Sequence, residues 1–139
     1  TLTTVNFGWH ERLLKKKGFG FLIPSQEKSE ILGMTWDSEI FHDPKGTRVC
    51  VMHEGEESPY EKALSALQTY LDISIPADAF LISTARRAIP QYTLHHQERI
   101  NAFREKLPSH VFALGNCFEG VGVNDCIFST KQFVDRVKV

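Results

Sequence analysis

Four short stretches in the first part of the chain are rich in apolar residues, many of them β-branched or aromatic, and polar turns separate them. The stretches cover residues 3–9, 18–24, 31–36 and 47–53. β-Branched and aromatic residues favour strands, and Asp43-Pro-Lys-Gly46 is typical of a turn. The pattern predicts four strands arranged as an antiparallel meander.

The rest of the chain mixes helical and extended patterns. Apolar residues spaced three and four apart predict helices over residues 58–71, 94–107 and 124–137. Apolar runs predict further strands at residues 79–89 and 111–114. Together these elements predict an α+β fold, with an antiparallel or mixed sheet and three helices.

Composition and charge narrow the class of protein. The 139 residues are 42% hydrophobic and 24% charged, so a packed core is expected. The net charge of -1 gives no reason to expect a nucleic-acid partner. Cys50, Cys117 and Cys126 form no Cys-x-x-Cys pair, which disfavours a disulfide framework or a zinc site and favours a reducing compartment. No stretch has the length and hydrophobicity of a membrane span or signal peptide, and the start inside a predicted strand indicates an excised segment.

The titratable residues form no pattern typical of a catalytic site, so no catalytic residue is assigned. His95 and His96 are adjacent, and on a helix their side chains diverge, so they cannot share one metal ion and no metal is expected. Cys126 falls in the first turn of a predicted helix, where a thiol can become reactive, but it also falls on the apolar face. A small core residue is the favoured interpretation of Cys126.

The most informative segment is the glycine-rich turn Gly120-Val-Gly-Val-Asn-Asp125. Gly120 can adopt a positive φ, and Gly122 allows a ligand to approach the backbone closely. Asn124 or Asp125 can cap the helix that follows. Because the N–H groups at a helix start can bind a polar or anionic acceptor, both a bound cofactor and an ordinary strand–turn–helix connection are open on the pattern alone.

Five segments occur in an order that is familiar from one family of enzymes. They are Gly18-Phe-Gly-Phe-Leu-Ile-Pro24, Leu32-Gly33-x-x-x-Asp37-Ser38-x-x-Phe41, Arg48-Val-Cys-Val-Met52, Ala88-Ile-Pro-Gln-Tyr-Thr93 and Gly115-Asn-x-x-x-Gly120-Val-Gly-Val-Asn-Asp-Cys126. Together they resemble the C-terminal third of the protoporphyrinogen oxidase family, which is FAD-dependent and belongs with the flavin amine oxidases.

This resemblance implies an activity and a domain organisation. It implies oxidation of protoporphyrinogen IX to protoporphyrin IX for haem synthesis, with FAD as cofactor and O₂ as the electron acceptor. It also implies the C-terminal part of a two-domain FAD-binding oxidoreductase fold, with residues 1–78 resembling the substrate domain and residues 79–139 a segment of the FAD domain. The N-terminal Gly-x-Gly-x-x-Gly motif of such a domain is absent from this sequence, so the isolated segment is predicted to be inactive and to bind little FAD.

The resemblance carries two groups of site residues. Val121, Gly122, Val123 and Asn124 match positions where the family meets the flavin, with the start of the last helix facing the ring. Leu22, Thr35 and Met52 match positions in the tetrapyrrole pocket. The alternative for these last three is that they are sheet residues that pack on a helix.

Other interpretations stay open. A related branch of the family oxidises coproporphyrinogen III, whose additional carboxyl groups would need basic residues such as Arg86 or Arg87. The isolated segment could instead be a non-catalytic binding or interaction module. The sequence departs from many relatives at Ala85 and at His53-Glu-Gly55. For the whole protein, the resemblance implies a cytoplasmic location, peripheral membrane contact and a homo-oligomer.

Overall fold

A computed structural model describes residues 1–137, and the chain divides into two compact units, Thr1–Ala88 and Ile89–Val139. The first unit contains a five-stranded antiparallel sheet and two helices. The described part of the second unit contains two helices joined by irregular backbone. The α+β class predicted from the sequence is therefore confirmed.

The strands of the first unit are β1 (Leu2–Trp9), β2 (Gly20–Leu22), β3 (Gly33–Thr35), β4 (Thr47–Glu54) and β5 (Ala79–Ala85). Their order in the sheet is β2-β3-β4-β1-β5, with antiparallel neighbours throughout. β2, β3 and β4 form a meander as predicted, but the expectation that β1 begins it is wrong. β1 lies between β4 and β5, because β1 and β4 each have eight residues and pair along their full length.

One face of the sheet, here called the core face, forms the hydrophobic core. Alternate residues of β1 and β4 are buried, and Met34 of β3 lies on the same side. The helix α2 (Pro59–Leu71) covers this face with Ala63 and Leu67, both buried. Since complete burial of one large apolar side chain contributes about 1.5–3 kcal/mol, this face supplies most of the stability of the unit.

A short helix, α1 (Asp37–Ile40), was not predicted from the sequence and follows β3 directly. Its Ser38 is buried, and the Ser38 hydroxyl oxygen accepts a hydrogen bond from the backbone N–H of Arg48 at 3.2 Å. This bond ties the start of α1 to the neighbouring strand β4. The four-residue helix has too few residues for a periodic pattern, which explains why the sequence did not reveal it.

The predicted strand at residues 79–89 is shorter in the structure and ends at Ala85. Arg87 has a φ of 56°, in the left-handed region, which ends the extended backbone. β5 pairs with β1 in the first sheet, and the compact unit ends at Ala88. The boundary between the two units thus lies ten residues after the predicted segment boundary at residue 78.

The second unit contains α3 (His96–Arg104) and α4 (Val123–Arg136), close to the predicted helices. The predicted strand at residues 111–114 is wrong, because these residues are irregular. A strand needs a neighbour to satisfy its N–H and C=O groups, and no strand is present among residues 89–137. The apolar side chains of this segment are exposed, with Phe112 at 54%. The predicted apolar face of α4 is also largely exposed, with Ile127 at 62%.

Candidate functional site

The three predicted substrate residues lie on one face of the first sheet. In the strand register, Leu22 is opposite Gly33, Gly33 is opposite Met52, and Thr35 is opposite Cys50. Their neighbours Met34 and Val51 point to the core face. Because side chains alternate along a strand, Leu22, Thr35 and Met52 share the opposite face, here called the open face.

The open face does not pack on α2, which contacts the other side of the sheet. The alternative was that Leu22, Thr35 and Met52 pack on a helix. The structure does not show such packing on α2. Leu22 is 74% exposed, and Met52 and Thr35 are half-buried. Leu22 and Met52 form an apolar patch on this face, beside the polar residues Thr4 and Asn6 of β1, and an accessible apolar patch can contact a flat apolar ligand.

Leu22 and Met52 flank a glycine, and together these three residues form what is here called the Gly33 recess. Neighbouring strands are about 5 Å apart, so Leu22 and Met52 lie about 10 Å apart across Gly33. Gly33 has a φ of 150°, and a Cβ atom there would lie 2.3 Å from the carbonyl oxygen of Phe21. Any other residue at this position would push β2 away from β3. Gly33 is itself buried, and Leu22 Cδ2 would lie 3.1 Å from the added Cβ, so the Gly33 backbone lies beside Leu22 and between the strands of Leu22 and Met52.

A group of polar residues lies beside the recess, two residues further along β3. The Thr35 hydroxyl donates a hydrogen bond to Asp37 Oδ1 at 2.7 Å, and Cys50 is opposite Thr35 on β4. We call Thr35, Asp37 and Cys50 the polar corner. Burial raises the pKa of the Cys50 thiol, and the negative charge of Asp37 raises it further, while the hydrogen bond with Thr35 acts in the other direction. The open face thus has an apolar part and an adjacent anionic part.

In the second unit, the glycine-rich turn leads into α4. Gly122 is the N-cap residue, and its backbone N–H donates to Asp125 Oδ2 at 3.2 Å. Of the two candidate caps, Asp125 therefore closes the helix start, from the third helical position. A Cβ atom on Gly120 would lie 2.3 Å from Asp125 Cβ, and Gly120 has a φ of 88°. Glycine is therefore required at position 120, whereas a Cβ on Gly122 would meet only the Asp125 carboxylate oxygen, at 2.9 Å.

Val121 and Val123 flank this helix start and are 37% and 75% exposed. They line an open groove of about 570 Å³. The other residues of the groove are Asn116, Cys126, Ile127, Thr130 and Lys131. N–H groups in the first turn of a helix have no acceptor within the helix, so the helix start beside this groove carries backbone donors. A polar ring edge that accepts hydrogen bonds fits this arrangement.

The expected departures at His53-Glu-Gly55 and Ala85 differ in their distance from the Gly33 recess, since His53 directly follows Met52 in β4. His53 is buried on the core face, where its Nδ1 donates to the carbonyl oxygen of Glu30 at 2.8 Å. Ala85 is the last residue of β5 and is opposite Leu2. Arg86 makes two hydrogen bonds to the carboxylate of Glu56, at 2.9 and 3.1 Å. The guanidinium of Arg86 thus already has an anionic partner.

Two candidate residues were not predicted from the sequence. Gly33 and Asp37 stand in one of the segments that carry the family resemblance, but nothing in that segment indicates that Gly33 separates Leu22 from Met52. Only the register of three strands brings these residues together. Within residues 1–137, no group of three or more His, Cys, Asp or Glu side chains could hold a metal ion. The described helices include none that is long and apolar enough to cross a membrane.

Comparison with known proteins identifies the relatives of the chain. Human protoporphyrinogen oxidase is 33% identical over 153 residues, which cover 95% of this chain and 32% of the human protein. The Bos taurus enzyme is 32% identical over 158 residues, which cover 99% of this chain and 33% of the bovine protein. Coproporphyrinogen III oxidase of Bacillus subtilis is 28% identical, with coverage of 87% and 29%. No protein-family model matches the chain.

A solved structure has the same fold. It is the crystal structure of a protein from Exiguobacterium that is provisionally assigned as a protoporphyrinogen oxidase. The TM-score is 0.70 at 21% identity, with 98% of this chain and 34% of the other covered. The chain spans about a third of the length of the relatives it matches. Over most of its length, the chain is therefore similar to part of several proteins named protoporphyrinogen oxidase.

Proposed function

We propose that the whole protein is an FAD-dependent oxidase that converts protoporphyrinogen IX to protoporphyrin IX in haem biosynthesis, with O₂ as the electron acceptor. The observation that carries this proposal is the Gly33 recess, in which Leu22 and Met52 lie on one open face with Gly33 between them. The similarity of the chain to the human and Bos taurus protoporphyrinogen oxidases supports the same assignment.

The open face has the chemistry that a reduced tetrapyrrole requires. Protoporphyrinogen IX is a broad, largely apolar macrocycle, so it binds where it can bury apolar area, at about 25 cal/mol per Å². Leu22 and Met52 would contact the apolar part of the macrocycle, and Gly33 between them adds no side chain to the face. Thr35 would contact it at the edge of the polar corner. These contacts would orient the macrocycle on the sheet.

The start of α4 is the part of this chain that we assign to the flavin. Gly122 has no side chain to keep a ring away, and the N–H groups of Val123 and Asn124 would meet acceptor atoms of the ring. Val121 would pack against the ring from the apolar groove. FAD, when bound, accepts the hydride that leaves the substrate. The helix start would stabilise negative charge on the reduced ring by about 0.3–2 kcal/mol.

Residues 1–78 would then contribute to the substrate domain of the whole protein, and residues 79–139 to its FAD domain. β5 pairs with β1, so it would connect the two. The isolated chain lacks a Gly-x-Gly-x-x-Gly motif, and we expect it to bind little FAD and to be inactive. A cytoplasmic location, peripheral contact with the membrane and a homo-oligomer complete the proposal for the whole protein.

The test is the visible spectrum of the full-length protein during anaerobic addition of protoporphyrinogen IX. We expect bleaching of an oxidised-flavin band together with the appearance of porphyrin absorption. Admission of air should then restore the flavin band. A purified protein that carries no flavin, or whose flavin band does not respond to the substrate, would refute the proposal.

The main alternative is oxidation of coproporphyrinogen III, supported by the Bacillus subtilis relative of that name. That substrate carries two more carboxylates, which call for unpaired basic side chains. Arg86 is held by Glu56, so its charge is already compensated, whereas no ion pair among the described residues involves Arg87, which remains the candidate partner for these carboxylates. Measurement of kcat/KM for both substrates with the same enzyme separates the two. A higher value for coproporphyrinogen III would favour the alternative.

A further inference from the structure

The polar corner contains a carboxylate, that of Asp37, to which the proposed function gives no role. Asp37 lies next to the Gly33 recess and is fixed in place from two directions. The Thr35 hydroxyl donates to its Oδ1 at 2.7 Å, and the following residue, Ser38, is tied to β4 through the N–H of Arg48. A carboxylate held in one position beside an apolar ligand surface can select the orientation of the ligand.

We infer that Asp37 binds and orients the porphyrinogen by accepting hydrogen bonds from its pyrrole N–H groups. This inference rests on the proposed function and extends it. It concerns only how the substrate is recognised by the open face.

The strand geometry indicates how far a macrocycle bound at Leu22 and Met52 extends towards Asp37. Thr35 is two residues from Gly33 along β3, which is about 7 Å. A macrocycle of four linked pyrroles is wider than that spacing. When its apolar edge covers Leu22 and Met52, its centre therefore comes near Thr35 and Asp37. The pyrrole N–H groups point to that centre, which brings them towards the carboxylate.

Asp37 can accept several hydrogen bonds because its side chain is a carboxylate. The two oxygens of an ionised carboxylate have about four acceptor positions, and the Thr35 hydroxyl uses one on Oδ1. Asp37 is half-buried, so a ligand on the open face can reach it. Partial burial also strengthens a charge-assisted hydrogen bond compared with one in water.

The substrate and the product differ in what they offer to an acceptor. Protoporphyrinogen has four pyrrole N–H donors and no unprotonated ring nitrogen. Protoporphyrin has two N–H groups and two nitrogens with lone pairs, which repel a carboxylate. Asp37 should therefore favour the reduced macrocycle. It should also keep the carboxylates of the substrate rim at a distance, because like charges repel.

The experiment compares variants of the full-length enzyme under steady-state conditions. Asp37→Asn keeps the size of the side chain and removes its charge, and Asp37→Ala removes the acceptor. Thr35→Val keeps the carboxylate but removes the hydrogen bond that holds it. Glu57→Gln is the matched control, since Glu57 is an exposed acid in the turn before α2. Circular dichroism establishes that each variant is folded.

We expect KM for protoporphyrinogen IX to rise about tenfold in Asp37→Ala. The rise should be somewhat smaller in Asp37→Asn and Thr35→Val. The inhibition constant of protoporphyrin IX should stay within about twofold, because the product gains little from Asp37. A merely structural defect would weaken substrate and product alike. Glu57→Gln should leave both constants unchanged.

Binding can also be followed without turnover, through the thiol of Cys50 in the polar corner. Bound protoporphyrinogen should slow the alkylation of Cys50 under anaerobic conditions. The substrate concentration that halves the alkylation rate should rise about tenfold in Asp37→Ala, in parallel with KM. This readout does not depend on the flavin reaction.

The outcomes separate the inference from the proposed function. If the wild-type enzyme oxidises protoporphyrinogen IX and the Asp37 variants keep its KM, the role of Asp37 is refuted while the proposed function stands. Equal weakening of substrate and product would also refute it. If the wild-type protein oxidises no porphyrinogen, both fail together.

Discussion

Leu22 and Met52 lie on the same face of the sheet, on opposite sides of Gly33, and each is in register with that glycine. They are thirty residues apart in the sequence, and neither touches the hydrophobic core formed around Met34. The two faces of the sheet thus have different roles. The core face holds the unit together, and the open face is available for a ligand.

Replacement of Gly33 by alanine should destabilise the first unit by about 1–3 kcal/mol. The added Cβ would lie 2.3 Å from the carbonyl oxygen of Phe21, at a φ of 150° that alanine rarely adopts. Urea denaturation of the purified chain measures the change in the free energy of unfolding. Gly8→Ala is the control, because the nearest atom to a Cβ there is 3.9 Å away. Equal stability of the two variants would contradict the close approach of β2 to β3.

Truncation of Met52 to alanine in the full-length enzyme should raise KM for protoporphyrinogen IX about tenfold, because apolar contact area with the macrocycle is lost. Met52 is on the open face, so the thermal stability should change little. Leu64→Ala is the control, since Leu64 is a partly exposed residue of α2 on the other side of the sheet. An unchanged KM in the Met52 variant would speak against the open face as the substrate site.

The thiol of Cys50 should react with iodoacetamide more slowly than the exposed Cys117 at neutral pH. Burial first, and then the charge of Asp37, raise the pKa of Cys50 and so disfavour its thiolate. The rate for Cys50 should therefore rise at a pH above that of an ordinary cysteine. Asp37→Asn removes a negative charge, so it should move this rise to lower pH. Mass spectrometry of the alkylated peptides gives both rates in one sample, and an unshifted profile in the variant would show that Asp37 does not act on Cys50.

Replacement of Asp125 by alanine should destabilise the start of α4 by about 0.5–1 kcal/mol, because the backbone N–H of Gly122 loses its acceptor. Thermal unfolding followed by circular dichroism measures this loss. Asn124→Ala is the control, as Asn124 lies next to Asp125 but does not cap Gly122. If the Asn124 variant were the less stable one, the cap would have been assigned to the wrong residue.

The isolated chain should self-associate at high concentration. All seven residues of the edge strand β5 are exposed, and they include Phe80 and Leu81, at 56% and 65%. An apolar strand with a free edge pairs readily with another chain. Sedimentation velocity over a range of concentrations tests this, and Leu81→Lys should reduce the association. A monomer at every concentration would contradict the expectation.

Much of the secondary structure could be predicted from the sequence, because it depends on local periodicity. The alternation in β1 and β4 and the helical spacing in α2 each reflect one buried face, and the structure has these elements within a few residues of their predicted bounds. The prediction of a strand at residues 111–114 was wrong because a strand does not depend on local periodicity alone. Its apolar residues favour a strand, but pairing depends on a neighbour that the second unit does not supply among its described residues.

The candidate site shows the same division. The sequence alone determined the types of residue that are present: the glycines, the apolar side chains of Leu22 and Met52, and the acids near Thr35. Only the tertiary structure decided their arrangement, because the register between strands brings Leu22, Gly33 and Met52 into one row. It also decided that Thr35 donates to Asp37 and that Asp125, rather than Asn124, caps α4. The row of Leu22, Gly33 and Met52 depends on the pairing of segments far apart in the chain, which local pattern does not encode. The two hydrogen bonds join residues only two and three positions apart, and they depend on the backbone conformation of each turn.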